Sequence, residues 1–231
     1  MLSAVDVDCG YGSVPVLQGA SISIGRGRIV GLRGPSGTGK TTIARTLTGL
    51  LPPLRGAVTL DGEPLRPRRG RHGGRVAMLF QSPRRSCDPR HTLARIIGEP
   101  LNLGRGPGRS TAGEGRPAGG EDVAASVVHA AAQVGLTPDL LQRLPAQVSD
   151  GQLQRAALAR ALLQRPDYLV CDEATAMLDA VSTAVLAGLL RDRAQQGVGV
   201  LAISHDAALL QAWADEVLDL AEIHGPIRAG G

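Results

Sequence analysis

Short apolar runs broken by glycine and proline fill the first 60 residues: LSAVDVD, ASISI, RIVGLRG and GAVTLDG. Their length and punctuation predict strands. RIVGLRG leads directly into GPSGTGKTT, and the following TTIARTLTGLL has the apolar spacing of a helix. RVAMLFQ, residues 75–81, predicts a buried strand. From 82 to about 165 the spacing turns helical, interrupted over 102–122 by NLGRGPGRSTAGEGRPAGGED, whose Gly, Pro and Ser content predicts a flexible, exposed loop. DYLVCDE returns to strand. After it come a helix over about 180–196, the strand GVGVLAIS, a helix over about 206–214 and the strand EVLDL. This alternation predicts an α/β fold around a parallel sheet, with a helical insertion in one domain spanning 1–231.

Composition narrows the class. A chain of 231 residues, 43% hydrophobic and 20% charged, can build a core and is not globally disordered. Cys9, Cys87 and Cys171 have neither pairing nor metal-ligand spacing, which predicts free thiols in a reducing compartment, with Cys171 as plain core. The start, MLSAVDVDCGYG, lacks the basic end and apolar stretch of a secretory leader, and no window offers 18 apolar residues. If the protein serves a membrane, another chain is expected to cross it.

The net charge of +4 hides an asymmetry, +11 over residues 1–120 and −7 over 121–231. Much of the excess lies in Arg66, Arg68, Arg69, Arg71 and Arg75, followed by Arg84, Arg85 and Arg90. Such a cluster could meet nucleic acid or anionic lipid. It also reads as a solvated loop in a chain with 24 arginines and one lysine, Lys40. Four aromatic residues leave no base-stacking platform, so no nucleic-acid partner is expected.

That lone lysine sits in the strongest motif. Gly34, Gly39, Lys40 and Thr41 satisfy G-x-x-x-x-G-K-[ST], with a predicted strand before and a helix after. Across Gly34, Pro35, Ser36, Gly37, Thr38, Gly39, Lys40, Thr41 and Thr42 the glycines let backbone N–H groups curl around a polyphosphate. The helix offers its positive end, Lys40 reaches the outer phosphates, and the Thr41 hydroxyl can ligate Mg²⁺. Tyr168, Leu169, Val170 and Cys171 then form an apolar strand ending in Asp172 and Glu173. Asp172 is placed to hold Mg²⁺, and Glu173 to orient or deprotonate an attacking water. Ser149 and Gln152 form a capping box at the head of VSDGQLQRAALARALL, which a helix start explains by itself and which can also receive an anion.

Taken in order, the phosphate loop, Gln81 after a strand, VSDGQ, YLVCDE, Leu178-Asp179 and SHD with His205 resemble the nucleotide-binding subunit of an ABC transporter over nearly the whole chain. That resemblance implies a RecA-like parallel-sheet core, an N-terminal antiparallel β region and a helical subdomain over about 82–165. It implies two such domains closing head to tail around two ATP molecules, with ATP and Mg²⁺ as cofactors. Tyr11 would stack on adenine, and Gln81 would sense the γ-phosphate and Mg²⁺. Ser149, Gly151 and Gln152 would complete the partner's ATP site. Glu173 would be the catalytic carboxylate, Asp179 would bridge the dimer, and His205 would hold the γ-phosphate and the attacking water.

One departure from the family's usual LSGGQ matters: Asp150 stands where its first Gly belongs. A carboxylate in the first turn gains about 0.3 to 1 kcal/mol from the helix dipole. At ~5 Å and an effective dielectric near 20, however, it would repel a phosphate charge by about 3 kcal/mol. Asp150 is therefore expected either to turn aside or to weaken the site it completes, as in an asymmetric heterodimer. FQSPRRSCDPRHTL followed by RIIGEPL is similar to the corresponding stretch of the dipeptide, oligopeptide and nickel importer ATPases. The partners this implies are a second ATPase subunit, identical or related, two integral-membrane permeases and, indirectly, a solute-binding protein. The location it implies is the inner face of the plasma membrane. A soluble ABC ATPase uncoupled from transport is the alternative. A guanine-reading N-K-x-D is impossible, because Asn102 is the only Asn and Lys40 the only Lys.

Overall fold

The computed structural model describes residues 1–65, 75–102 and 120–223. Strands β1 (Leu2–Tyr11) and β2 (Val14–Ile24) form an antiparallel hairpin, and β4 (Arg55–Leu60) and β5 (Glu63–Pro64) extend it in the order β2-β1-β4-β5. The hairpin joins runs that read as separate strands in sequence, because residues 12 and 13 close the turn between Tyr11 and Val14.

A second, wholly parallel sheet runs β6-β7-β8-β3-β9, built from β6 (Val76–Leu79), β7 (Tyr168–Asp172), β8 (Gly199–Ile203), β3 (Ile29–Arg33) and β9 (Glu216–Asp219). Its inner strands are apolar up to their C-terminal residues, Arg33 on β3 and Asp172 on β7, because both faces are covered. Successive side chains alternate between two cores. Ile29, Leu169, Cys171, Val200 and Ala202 face the core shared with the long helices. Val30, Leu32, Tyr168, Val170, Leu201 and Ile203 face the core shared with the antiparallel sheet and α1 (Lys40–Leu47). The expected helix through Leu51 stops at Leu47, where Thr48 caps it and Gly49 enters the left-handed region.

The helices between β6 and β7 are α2 (Pro83–Ser86), α3 (Leu93–Asn102), α4 (Gly120–Gln133) and α5 (Asp150–Leu162), with short 3₁₀ turns at Pro138–Gln142 and Pro145–Gln147. The loop expected over 102–122 lies for the most part outside the described residues, as do Arg66, Arg68, Arg69 and Arg71. Helices α6 (Ala180–Gln195) and α7 (Ala207–Trp213) follow β7 and β8, and a one-turn helix α8 (Leu220–Ile223), absent from the sequence pattern, follows β9.

Arg75, counted in the basic cluster, is committed to structure. Its guanidinium lies 2.5 Å from both Asp61 and Asp167, and Arg26 bonds the same two carboxylates at 3.0 and 2.7 Å. With the amino group of Met1 they hold the Asp61 carboxyl well below its usual range. The network joins the β4–β5 turn to the start of β7, at the end of the sheet opposite the strand C-termini. Arg26 also lies 5.6 Å from the centre of the Tyr168 ring.

Packing at this end is tight around Gly199. A Cβ there would stand 2.5 Å from the Tyr168 ring and 2.6 Å from the Gly25 carbonyl oxygen. Gly199→Ala is expected to cost about 1–3 kcal/mol by overpacking, lowering Tm by about 2–12 °C in a chain of this size. Calorimetry showing an unchanged Tm would contradict the packing described.

Candidate functional site

Four elements of the parallel sheet deliver chemistry at its C-terminal edge. Strand β3 opens into the loop 34–39, whose last residue, Gly39, caps α1 in the left-handed region at φ 106°. A Cβ at Gly39 would stand 2.8 Å from Leu17 Cγ on β2, so both backbone shape and the neighbouring strand require glycine. Thr38 Oγ1 donates to the Pro35 carbonyl at 2.7 Å and braces the turn.

Lys40 begins α1 with only 5% of its side chain exposed. Its ammonium donates to the carbonyls of Gly34 and Pro35, each at 2.7 Å, and lies 3.7 Å from Glu173 Oε1. Glu173 follows the last residue of β7 and is 16% exposed. Its φ is +48°, an uncommon conformation for a non-glycine residue, fixed by its N–H donating to the Ile203 carbonyl at 3.0 Å. Gln81, just beyond β6, donates through Nε2 to Glu173 Oε2 at 3.3 Å. His205, just beyond β8, places Nδ1 3.4 Å from the same oxygen. One carboxylate thus meets an ammonium, an amide and an imidazole from three other segments.

Asp172 ends β7 almost fully buried, and its Oδ1 has no hydrogen-bond partner among the described residues. Burial pushes its carboxyl pKa up, a hydrogen bond from the Thr41 hydroxyl pulls it down, and the neighbouring Glu173 charge pushes it up. A buried carboxylate oxygen with a free lone pair, beside a hydroxyl, fits a hard cation such as Mg²⁺. Such a cation takes one or two carboxylates and keeps its other positions for water and phosphate. Among the described residues no cluster of three His, Cys, Asp or Glu could hold a metal by itself. The adjacent Cys171 is core, its thiol pKa pushed up to about 12 by burial, and takes no part in the chemistry.

Tyr11, at the end of β1, is half-exposed and its hydroxyl accepts a 3.0 Å bond from Arg45. Arg45 stands on α1, one turn beyond Thr41, so this bond ties the tyrosine to the helix that follows the loop.

Ser149 caps α5: its hydroxyl accepts from Gln152 N at 3.1 Å while Gln152 Oε1 accepts from Ser149 N at 2.9 Å. Gly151 lies under α6, where an added Cβ would stand 2.6 Å from Ser182 Oγ. Asp179 caps α6, accepting from Ser182 N at 2.9 Å and Ser182 Oγ at 2.8 Å. None of the described hydrogen bonds joins Ser149, Gly151, Gln152 or Asp179 to the phosphate loop.

Three residues near the site were given no part in it by the sequence. Arg45 and Arg84 bond partners far along the chain, which no local pattern announces. Gln154 donates to the Phe80 carbonyl at 3.3 Å, joining α5 to the residue before Gln81. As a buried polar residue on the apolar face of α5 it was detectable in principle.

The family described as ABC transporter matches residues 17–176. The nickel import ATP-binding protein NikE of Rhodospirillum rubrum is 38% identical over 90% of this chain and 73% of its own. A protein of Brucella ovis, provisionally named as a peptide import ATP-binding protein, is 37% identical over 90% of this chain and 64% of its own, so the chain spans under two thirds of that relative. The solved cbiO1 of Clostridium perfringens, part of the ABC transporter complex cbiONQ, superposes with a TM-score of 0.78 at 22% identity, covering 94% of this chain and 83% of that one, which shows a shared fold.

Because Asp172 is harder to ionise when folded, its contribution to stability is present at low pH and lost as pH rises through its folded pKa. Asp172→Asn removes that charge. The Tm of the nucleotide-free variant, relative to the parent, is therefore expected to rise as pH goes from about 4 to neutrality. A difference that stays flat across this range in calorimetry would argue against an uncompensated buried carboxylate.

Proposed function

This chain is an ATP-binding subunit of the ABC transporter family, and from that membership we propose that it hydrolyses ATP to drive the uptake of peptides, nickel or a related small solute. The observation that carries the chemistry is the Glu173 carboxylate, held at the end of β7 between Lys40, Gln81 and His205.

In this reading the loop from Gly34 to Thr42, including Pro35, Ser36, Gly37 and Thr38, turns its N–H groups on the phosphates. The Lys40 ammonium exchanges its bonds to the loop carbonyls for bonds to phosphate oxygen. Tyr11, steadied by Arg45, offers its exposed ring to the adenine. Glu173 accepts the proton of the attacking water, and Gln81 and His205 fix the direction of its carboxylate, with His205 also reaching towards the γ-phosphate. Thr41, Asp172 and Gln81 would hold Mg²⁺, which when bound neutralises phosphate charge. Because none of the described hydrogen bonds joins Ser149, Gly151, Gln152 or Asp179 to the chain's own phosphate loop, we assign them to the ATP site of a second ATPase subunit.

The uptake reading is supported by the two importer relatives. Among the described residues no helix is long and apolar enough to cross a membrane. Two permease subunits are assigned the crossing, with a solute-binding protein delivering cargo, and the chain is placed on the inner face of the plasma membrane.

Glu173→Gln is expected to cut steady-state ATP hydrolysis by about 10²–10⁴-fold, the range for losing a general base, while ATP binding persists and an ATP-bound dimer accumulates on size exclusion. Hydrolysis at the parent rate would remove Glu173 from the role given to it.

A further inference from the structure

Asp150 is the charged departure of this chain from its family's signature, and its surroundings account for it. It occupies the first position of α5, next to the Ser149 cap, so an unrestrained carboxylate there would occupy the positive field that an incoming phosphate needs. It is not unrestrained. Arg84 Nε donates to Asp150 Oδ1 at 2.7 Å. The other two nitrogens of the same guanidinium donate to the carbonyls of Pro145, at 2.8 Å, and Val148, at 3.1 Å. All three nitrogens of the planar fork are thus fixed, two of them on backbone just ahead of the helix. The cation is therefore set in place independently of the carboxylate it binds. Arg84 stands on α2, three residues past Gln81.

We infer that Arg84 is the positioning residue that keeps the head of α5 able to receive the γ-phosphate of a partner's ATP, by drawing the Asp150 carboxylate aside and cancelling its charge. This rests on the dimeric reading above. Residues 66 apart in sequence act as one unit: the acid is tolerated because of the arginine, and an arginine at position 84 is needed because of the acid. Neither side chain touches the reacting atoms. The pair acts through the Ser149–Gln152 turn, whose capping bonds it leaves intact. A lysine could supply charge at position 84 but could not bond all three acceptors in one plane.

The chain carries both halves of the composite site, so two copies suffice for the test. In the Glu173→Gln background, ATP-driven dimerisation is followed by sedimentation, and ATP binding to the monomer by a fluorescent ATP analogue. Arg84→Ala and Arg84→Gln, the second keeping a neutral donor for the carbonyls, are expected to weaken the dimer by about 10- to 100-fold, as an exposed charge beside a phosphate would. Monomer affinity for the analogue is expected to stay the same, since the phosphate loop builds that site. Adding Asp150→Gly to either variant is expected to bring dimerisation back to within about threefold of Asp150→Gly alone. Dimerisation of Arg84→Gln at the parent level would overturn the inference. Failure of Asp150→Gly to rescue would also overturn it, by showing that Arg84 only braces the Pro145–Val148 turn. A Glu173→Gln parent that binds the analogue but never dimerises with ATP would overturn the pairing of two identical copies on which this inference is built, and the inference with it.

Discussion

Lys40 brings the chain's one ammonium side chain into a position only 5% exposed, and a buried cation is costly unless it is paired and hydrogen-bonded. Two carbonyls of its own loop and one carboxylate from β7 supply the compensation. The loop can present those carbonyls only because it curls, and it curls only because Gly39 lies in the left-handed region against Leu17. Leu17 belongs to the antiparallel sheet. The placement of one charge at the edge of the parallel sheet therefore depends on the second sheet packing over α1.

Glu173 is the other half of the same constraint. Its left-handed backbone is the kind of strain that surrounding structure must over-determine, and the hydrogen bond to Ile203 ties it to the strand that ends beside His205. Residues from β6, β7 and β8 meet at one carboxylate because parallel pairing sets the strand ends side by side. Gln81 Nε2 bonds Glu173 Oε2 and His205 Nδ1 lies 3.4 Å from the same oxygen, so a change in the segment carrying either residue alters the surroundings of this carboxylate.

The legible part of this site was what lies close together in sequence. The phosphate loop, the acids closing an apolar strand and the Ser149–Gln152 capping box are local patterns, and the strands followed from short apolar runs. The β1–β2 hairpin was hidden because the register shifts along its pairing break the plain alternation of a two-stranded ribbon. The short β5 and α8 offered too few residues for any periodicity. Arg45 with Tyr11, Gln154 with Phe80 and Arg84 with Asp150 were illegible for another reason. Each is a contact between distant segments, and the residue types alone, an arginine among many and one more glutamine, carry no address. Asp150 could be read as a problem in the sequence, whereas its solution could be read only in space.

The arginine excess acquires a physical sense from the same contacts. Arg26 and Arg75 each clamp two carboxylates, Arg84 holds three acceptors, Arg160 joins the Ser86 carbonyl to Glu99, and Arg191 joins Asp215 to the Trp213 carbonyl. Each of these uses a rigid fork to fix two or more segments at once, which a flexible ammonium does poorly. Exposed pairs of this sort contribute little one at a time, so their value lies in geometry more than in energy. The phosphate site proposed above would ask for the opposite, a compact point charge on a flexible stem that can leave carbonyl oxygens for phosphate oxygens. A guanidinium fixed by several partners could not make that exchange, and the position that requires it is the one where the chain keeps a lysine.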